Sequence, residues 1–229
     1  MKPFTIAFPL PVSASEAAEH LSKIQIDVSK RQLIIPGSPM FYTPIIQDRV
    51  PELEKVFDEH SALTPEEKSE IASHRSLFFL RFLAKNRDEF RSFLDVSRKI
   101  LESGALGVYV ENSGCAWSGK MFLELVSGDV PIEAFINIVE TSDSMFTLGM
   151  EPFGFPDLCV TTKNVEFEPR TVLLSAADSL ISDGQEFASG ARWKDDNERE
   201  FVFRNEVRAP FEKGSPEWNA EGYARLVSR

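Results

Sequence analysis

Cysteine, histidine and the polar aromatics are scarce in this chain. Its 229 residues hold 2 Cys, 3 His, 3 Tyr and 3 Trp. Cys115 and Cys159 are too few and too far apart for a disulfide framework or a thiolate zinc site. His20, His60 and His74 do not fall at metal-ligand spacing within any one predicted element, so each reads as a solvated or internally satisfied side chain. The reading is therefore no structural metal, no disulfide and no cofactor.

Also missing is any run of basic residues. Lys and Arg total 25 against 36 Asp and Glu, for a net charge of −11. Phosphate backbones and anionic lipid repel such a chain when its cations are scattered, which argues against nucleic acid and membrane as partners. No apolar run approaches the roughly 18 residues a membrane-spanning helix needs. The stretch from Phe4 to Val12 has the outline of a signal peptide, but Pro9 and Pro11 interrupt it and only Lys2 precedes it. It reads instead as a strand entering a helix, which makes a cytoplasmic location the expectation. The dinucleotide, P-loop, nucleophile-elbow and zinc-protease signatures are all absent, which removes the commonest enzyme classes without excluding enzymes that lack a linear motif.

Phenylalanine is abundant, at 19 residues. With no polar handle these rings belong in a core, and 42% hydrophobic and 27% charged residues fit an ordinary globular chain. Strands are expected at 3–9, at 24–35 as a strand or hairpin, at 77–83 buried on both faces, and at 105–110. Residues 132–139 and 145–150 read as a hairpin, and 158–162 as a short strand. Residues 187–194 and 200–208 read as a closing hairpin. Helices are expected from a cap at Ser13 or Ser15 through Leu21, over 49–60, from Thr64 to about His74, over 87–102, over 118–127, and from Pro169 to Asp183. The helix at 87–102 has the clearest stripe, with Phe90, Phe93, Leu94, Ile100 and Leu101 on one side. The tail, with Trp218, Tyr223 and Leu226, shows no period. No linker separates these elements, so the reading is one α+β domain over 1–229, a mixed and largely antiparallel sheet packed with helices.

Two segments have the residues for a site. Glu111-Asn112-Ser113-Gly114-Cys115-Ala116-Trp117-Ser118 follows a predicted strand and precedes a predicted helix. A thiol or an anion there would feel the positive helix start. The plain alternative is an ordinary strand-to-helix connection with Cys115 as a small buried residue. Gly149 to Asp157, with Phe153 and Phe155, reads either as an aromatic-walled loop or as a tight turn whose glycines adopt positive φ. A ligand site, if present, is expected where Glu111, Asn112, Ser113, Cys115 and Trp117 meet Asp157.

The same segments carry a resemblance. Gly107-Val108-Tyr109-Val110-Glu111-Asn112-Ser113, Phe135-Ile136-Asn137-Ile138 and Thr147-Leu148-Gly149-Met150 running to Gly154-Phe155-Pro156-Asp157 resemble a bacterial domain family of unknown function. The likeness runs from about Leu77 to the C-terminus. It implies an α+β fold and a bacterial source, and it supplies no activity and no catalytic residues. The functional expectation is a non-enzymatic binding or protein-interaction module, of the kind an acidic immunity protein represents, with a protein as partner. The alternative is a hydrolase-like enzyme using the 111–118 loop. Nothing in the sequence fixes an oligomeric state.

Overall fold

The computed structural model describes residues 2–84, 87–127, 132–182, 187–206, 211–215 and 218–229. The chain has the α+β composition expected, but its strands are shared between two six-stranded sheets. It gathers into two compact units, Pro3–Ala134, and Phe135–Arg229 with Lys2.

In the 3–134 unit the chain order is β1 (Phe4–Leu10), α1 (Ala14–Ser22), β2 (Leu33–Ile34), β3 (Phe41–Asp48), α2 (Leu53–Ser61), α3 (Pro65–Ala72) and β4 (Ser76–Phe82). Then come α4 (Arg87–Glu102), β5 (Gly107–Val110), β6 (Cys115–Ser118) and α5 (Gly119–Leu125). The sheet order is β2-β3-β4-β1-β5-β6, antiparallel throughout. Helix starts follow local chemistry. At α3, Glu67 N donates to Thr64 Oγ1 at 3.3 Å and Thr64 N to Glu67 Oε2 at 3.0 Å, a reciprocal cap.

Because strand side chains alternate, β4 serves two cores. Its Phe82 stacks on Phe93 of α4 at 4.3 Å between centroids, and Phe4 of β1 meets Phe90 at 5.3 Å. The predicted α4 stripe, Phe90, Phe93, Leu94, Ile100 and Leu101, is buried. Each ring so buried contributes about 2–3 kcal/mol. The opposite face of the sheet, through Leu77, Phe79, Tyr109 and Ala116, packs on Phe57 of α2 and Ile71 of α3. Gly107 lies under this contact: a Cβ there would stand 2.8 Å from the Phe57 ring and 2.7 Å from Trp117 O.

The 135–229 unit holds β7 (Asn137–Glu140), β8 (Ser144–Leu148), β9 (Asp157–Thr161), α6 (Pro169–Ser182), β10 (Arg192–Lys194), β11 (Glu200–Glu206) and β12 (Tyr223–Ser228). The order is β10-β11-β12-β9-β8-β7, with β12 and β9 the parallel pair. Helix α6 buries Val172, Leu173, Ala176, Ala177 and Leu180, and it packs on β8 and β9.

Several expectations are corrected. Residues 24–32 form turns instead of a strand, because Gln25 takes a positive φ of 64° and Asp27 Oδ1 accepts from Ser29 N and Oγ. Strand β3 occupies Phe41–Asp48, a stretch for which the sequence suggested no element. Strand β4 is not buried on both faces, since Arg81 within it and Leu83 just past its end are exposed. The strand of the first predicted hairpin begins at Asn137, after a turn of 3-10 helix at Ile132–Ala134. The aperiodic tail contains a strand, β12. The expected helix stop at Asp183-Gly184 and the end of the closing hairpin at Val207 and Arg208 fall outside the described residues.

Candidate functional site

The 111–118 segment is a hairpin, where the sequence suggested a strand-to-helix loop. Gly114 takes φ 74°, and its N–H bonds back to Val110 O at 2.8 Å. That left-handed residue reverses the chain, so Cys115 pairs with Val110 across β5 and β6. Cys115 is therefore a sheet residue with 0% exposure. The helix start is at Ser118, which caps α5 by accepting from Met121 N at 3.2 Å. A thiol closed off inside β6 has neither the helix start nor the access that the activated-nucleophile reading requires.

The other nominated residues of this segment hold the turn together. Asn112 Oδ1 accepts from Thr5 N at 2.8 Å, and its Nδ2 donates to Pro3 O at 3.1 Å. With Glu111 N donating to Thr5 O at 3.0 Å, these bonds continue the β1–β5 ladder past the end of β5. Ser113 is buried, and its Oγ accepts from Cys115 N at 3.3 Å. Trp117 Nε1 donates to Ala134 O at 3.0 Å, with the His60 ring edge-on at 4.6 Å. Ser118 Oγ donates to Glu67 Oε1 at 2.5 Å, and this bond holds the Glu67 carboxyl below its ordinary pKa. The Glu111 side chain is exposed and makes no hydrogen bond or ion pair among the described residues.

Asp157 lies in the 135–229 unit and is bonded within it. It is 1% exposed. Its Oδ1 accepts from Thr147 Oγ1 at 3.1 Å and from Met150 N at 3.2 Å, and its Oδ2 from Asn219 Nδ2 at 2.8 Å. Asn219 Nδ2 also reaches Phe155 O at 3.1 Å. Burial outweighs these donors and pushes the Asp157 carboxyl up to about 7. Gly149 and Gly154 take φ 113° and 83°, the positive values that a tight turn requires. Phe153 and Phe155 are half-buried.

His74 follows the same pattern of internal satisfaction. His74 is 1% exposed, with Nδ1 bonded to Ile71 O at 2.8 Å and Nε2 accepting from Val50 N at 3.2 Å. Burial lowers its pKa, which suits the neutral tautomer these bonds require. Among the described residues no group of three His, Cys, Asp or Glu stands together as a metal site. Cys159 is buried and its thiol is pushed up to about 12 by desolvation, the setting of an inert core cysteine.

An open hollow with an apolar wall lies elsewhere, at the end of β3 and β4. The hollow, of about 530 Å³, is walled by Pro3, Met40, Phe41 and Leu83, with Thr43 and Arg81 on its polar side. Thr5, Arg81 and Thr43 stand in one row across β1, β4 and β3. Phe41 and Leu83 come two residues further along the same face, beyond the part that α2 and α3 cover. Of the 19 phenylalanines, Phe41 alone is exposed, at 62%. Ile34, opposite Phe41 across β2 and β3, is 59% exposed, and Leu83 is 47% exposed. The signal was in the sequence: Arg81 interrupts Leu77-Phe78-Phe79-Leu80-Arg81-Phe82-Leu83, and a charge within a run taken as doubly buried marks an uncovered face.

Comparison of the chain with protein families, with curated proteins and with solved structures finds no match.

Proposed function

We propose that the chain is a non-enzymatic binding module of the bacterial cytoplasm and that its ligand enters the hollow at the end of β3 and β4. One observation carries the reading. Two large apolar side chains, Phe41 and Leu83, are left in water around one concavity, with exposed Ile34 paired to Phe41 on the neighbouring strand, in a chain that buries or half-buries every other phenylalanine. A volume of about 530 Å³ falls in the range, roughly 300–1,000 Å³, of sites that enclose small molecules. The hydrolase alternative loses its support once Cys115 is a closed sheet residue. The cytoplasmic part of the proposal draws on two thiols that form no disulfide, and on the finding that no described helix is long and apolar enough to cross a membrane.

Nile red, a neutral dye that brightens in apolar surroundings, tests the site. The wild type should enhance its fluorescence, and a Phe41→Ser, Leu83→Ser double variant should lose most of that enhancement. Both positions are exposed, so the melting temperature should hold. Enhancement that survives in the double variant places the binding surface elsewhere and overturns the reading.

A further inference from the structure

We infer that the ligand of this hollow is a small organic acid, an apolar body of aromatic size carrying one carboxylate, and that Arg81 pairs the carboxylate. The inference rests on the binding reading above and specifies its ligand. Arg75, Arg98, Arg192, Arg199, Arg225 and Arg229 each sit against a carboxylate of the chain. The Arg81 side chain makes no such pair, no hydrogen bond and no ring contact among the described residues. In a chain with 36 acidic side chains, a cation left unpaired beside an apolar wall has a position set by something other than internal pairing.

The surroundings select the charge and the shape. A guanidinium presents parallel N–H donors that match the two oxygens of a carboxylate. Thr43 and Thr5 flank it in the same row, and the Thr43 hydroxyl, half-buried in the lining, adds a donor at the same depth. Phe41, Met40, Leu83 and Pro3 supply the wall for the apolar body and displace water, which strengthens the ion pair. Glu89 also lines the hollow, but it has polar or electrostatic partners of its own, including the field it exerts on Tyr42. A cationic ligand would have to lie against Arg81.

Three probes of one skeleton separate the parts: 3-phenylpropionate, 3-phenylpropan-1-ol and 3-phenylpropylamine, titrated into the full chain by calorimetry. The acid should bind about tenfold or more tighter than the alcohol, and the amine weakest. Arg81→Gln should erase the preference for acid and leave the alcohol unchanged. Arg81→Lys should retain part of it, because it keeps the charge and loses the fork. Equal affinity for acid and alcohol, or an acid preference that survives Arg81→Gln, overturns the carboxylate inference. The Nile red result would still stand or fall by itself. Failure of all three probes to bind overturns the inference too. So does tighter binding of a Gly-Gly-Phe tripeptide than of the free acid, which would reassign the carboxylate to a polypeptide C-terminus.

Discussion

The turn after β5 and the turn before β9 are each held by one side chain, Asn112 and Asp157. The first is a neutral amide, half-buried, that bonds one backbone N–H and one backbone carbonyl of the β1 start. The second is an acid, 1% exposed, whose three neighbours all donate. The difference follows from what each turn leaves over. Where one donor and one acceptor need partners, an amide fits both. Where a hydroxyl, a backbone N–H and an amide NH2 converge, only a carboxylate accepts from all of them, and enclosure then makes its charge expensive. One turn is thereby indifferent to pH, and the other carries a titration near neutrality.

The comparison breaks first at Asp157. Asp157→Ala leaves Met150 N, Asn219 Nδ2 and the Thr147 hydroxyl short of a partner, and should cost about 4 kcal/mol in chemical denaturation. A cost below about 1 kcal/mol would mean that water replaces the carboxylate, and the enclosure argument fails.

The pH dependence comes next. The folded carboxyl titrates at about 7 against 3.8 for the ordinary group. Between these values the native state holds a proton that the unfolded state has released. Asp157's contribution is therefore complete below pH 3.8, falls by about 1.4 kcal/mol per pH unit as pH rises, and levels off above about 7. The difference in stability between wild type and Asp157→Asn, measured from pH 4 to 8, isolates this slope from the other acids. A flat difference shows that the group ionises at its ordinary pKa in the fold.

Asn112→Ala should cost less, about 1–2 kcal/mol, with no pH slope. It strips partners from Thr5 N and Pro3 O, at a turn that water can reach. Hydrogen exchange at Thr5 should rise before the rest of β1 loosens. If the loss is global and exceeds that of Asp157→Ala, the wet turn is the more important clamp and the ranking inverts.

What the sequence made legible was whatever depends on near neighbours. The α4 stripe, the Thr64–Glu67 cap and the left-handed glycines at Gly149 and Gly154 all follow from residues within a turn of each other. Strand β12 was hidden because its parallel partner β9 lies some sixty residues earlier, and its pattern, with Tyr223 and Ala224 both buried, does not alternate cleanly. Strand β6 was hidden because Ser113-Gly114-Cys115 has the composition of a helix approach, and only the φ of Gly114 decides that the chain turns back. The site was missed for a related reason. Asn, Ser, Cys and Asp look chemical in a sequence, but buried backbone needs the same polar atoms, and here it takes them. Phe41 was passed over because an exposed phenylalanine can be recognised only once the rest of the chain is folded, and Arg81 because the run from Leu77 to Leu83 reads as buried on both faces if its one charge is discounted.

Glu111 is the smallest of these effects and the control for the others. It is exposed, its backbone N–H bonds Thr5 O, and no hydrogen bond or ion pair of its carboxylate is part of the turn. Glu111→Ala keeps the backbone bond, so stability should change by no more than about 0.5 kcal/mol. One electrostatic trace should accompany it. Tyr109, half-buried, has its hydroxyl pKa raised first by burial and then by the Glu111 and Cys115 charges. Removing the Glu111 carboxylate should move the Tyr109 titration slightly down, and that movement should shrink as salt is added, because the carboxylate itself is in solvent. Nuclear magnetic resonance of the Tyr109 ring reads the shift directly. A stability loss comparable to that of Asn112→Ala would show that the carboxylate is part of the clamp, and that the turn is held by a charged network after all, which would erase the contrast with Asp157.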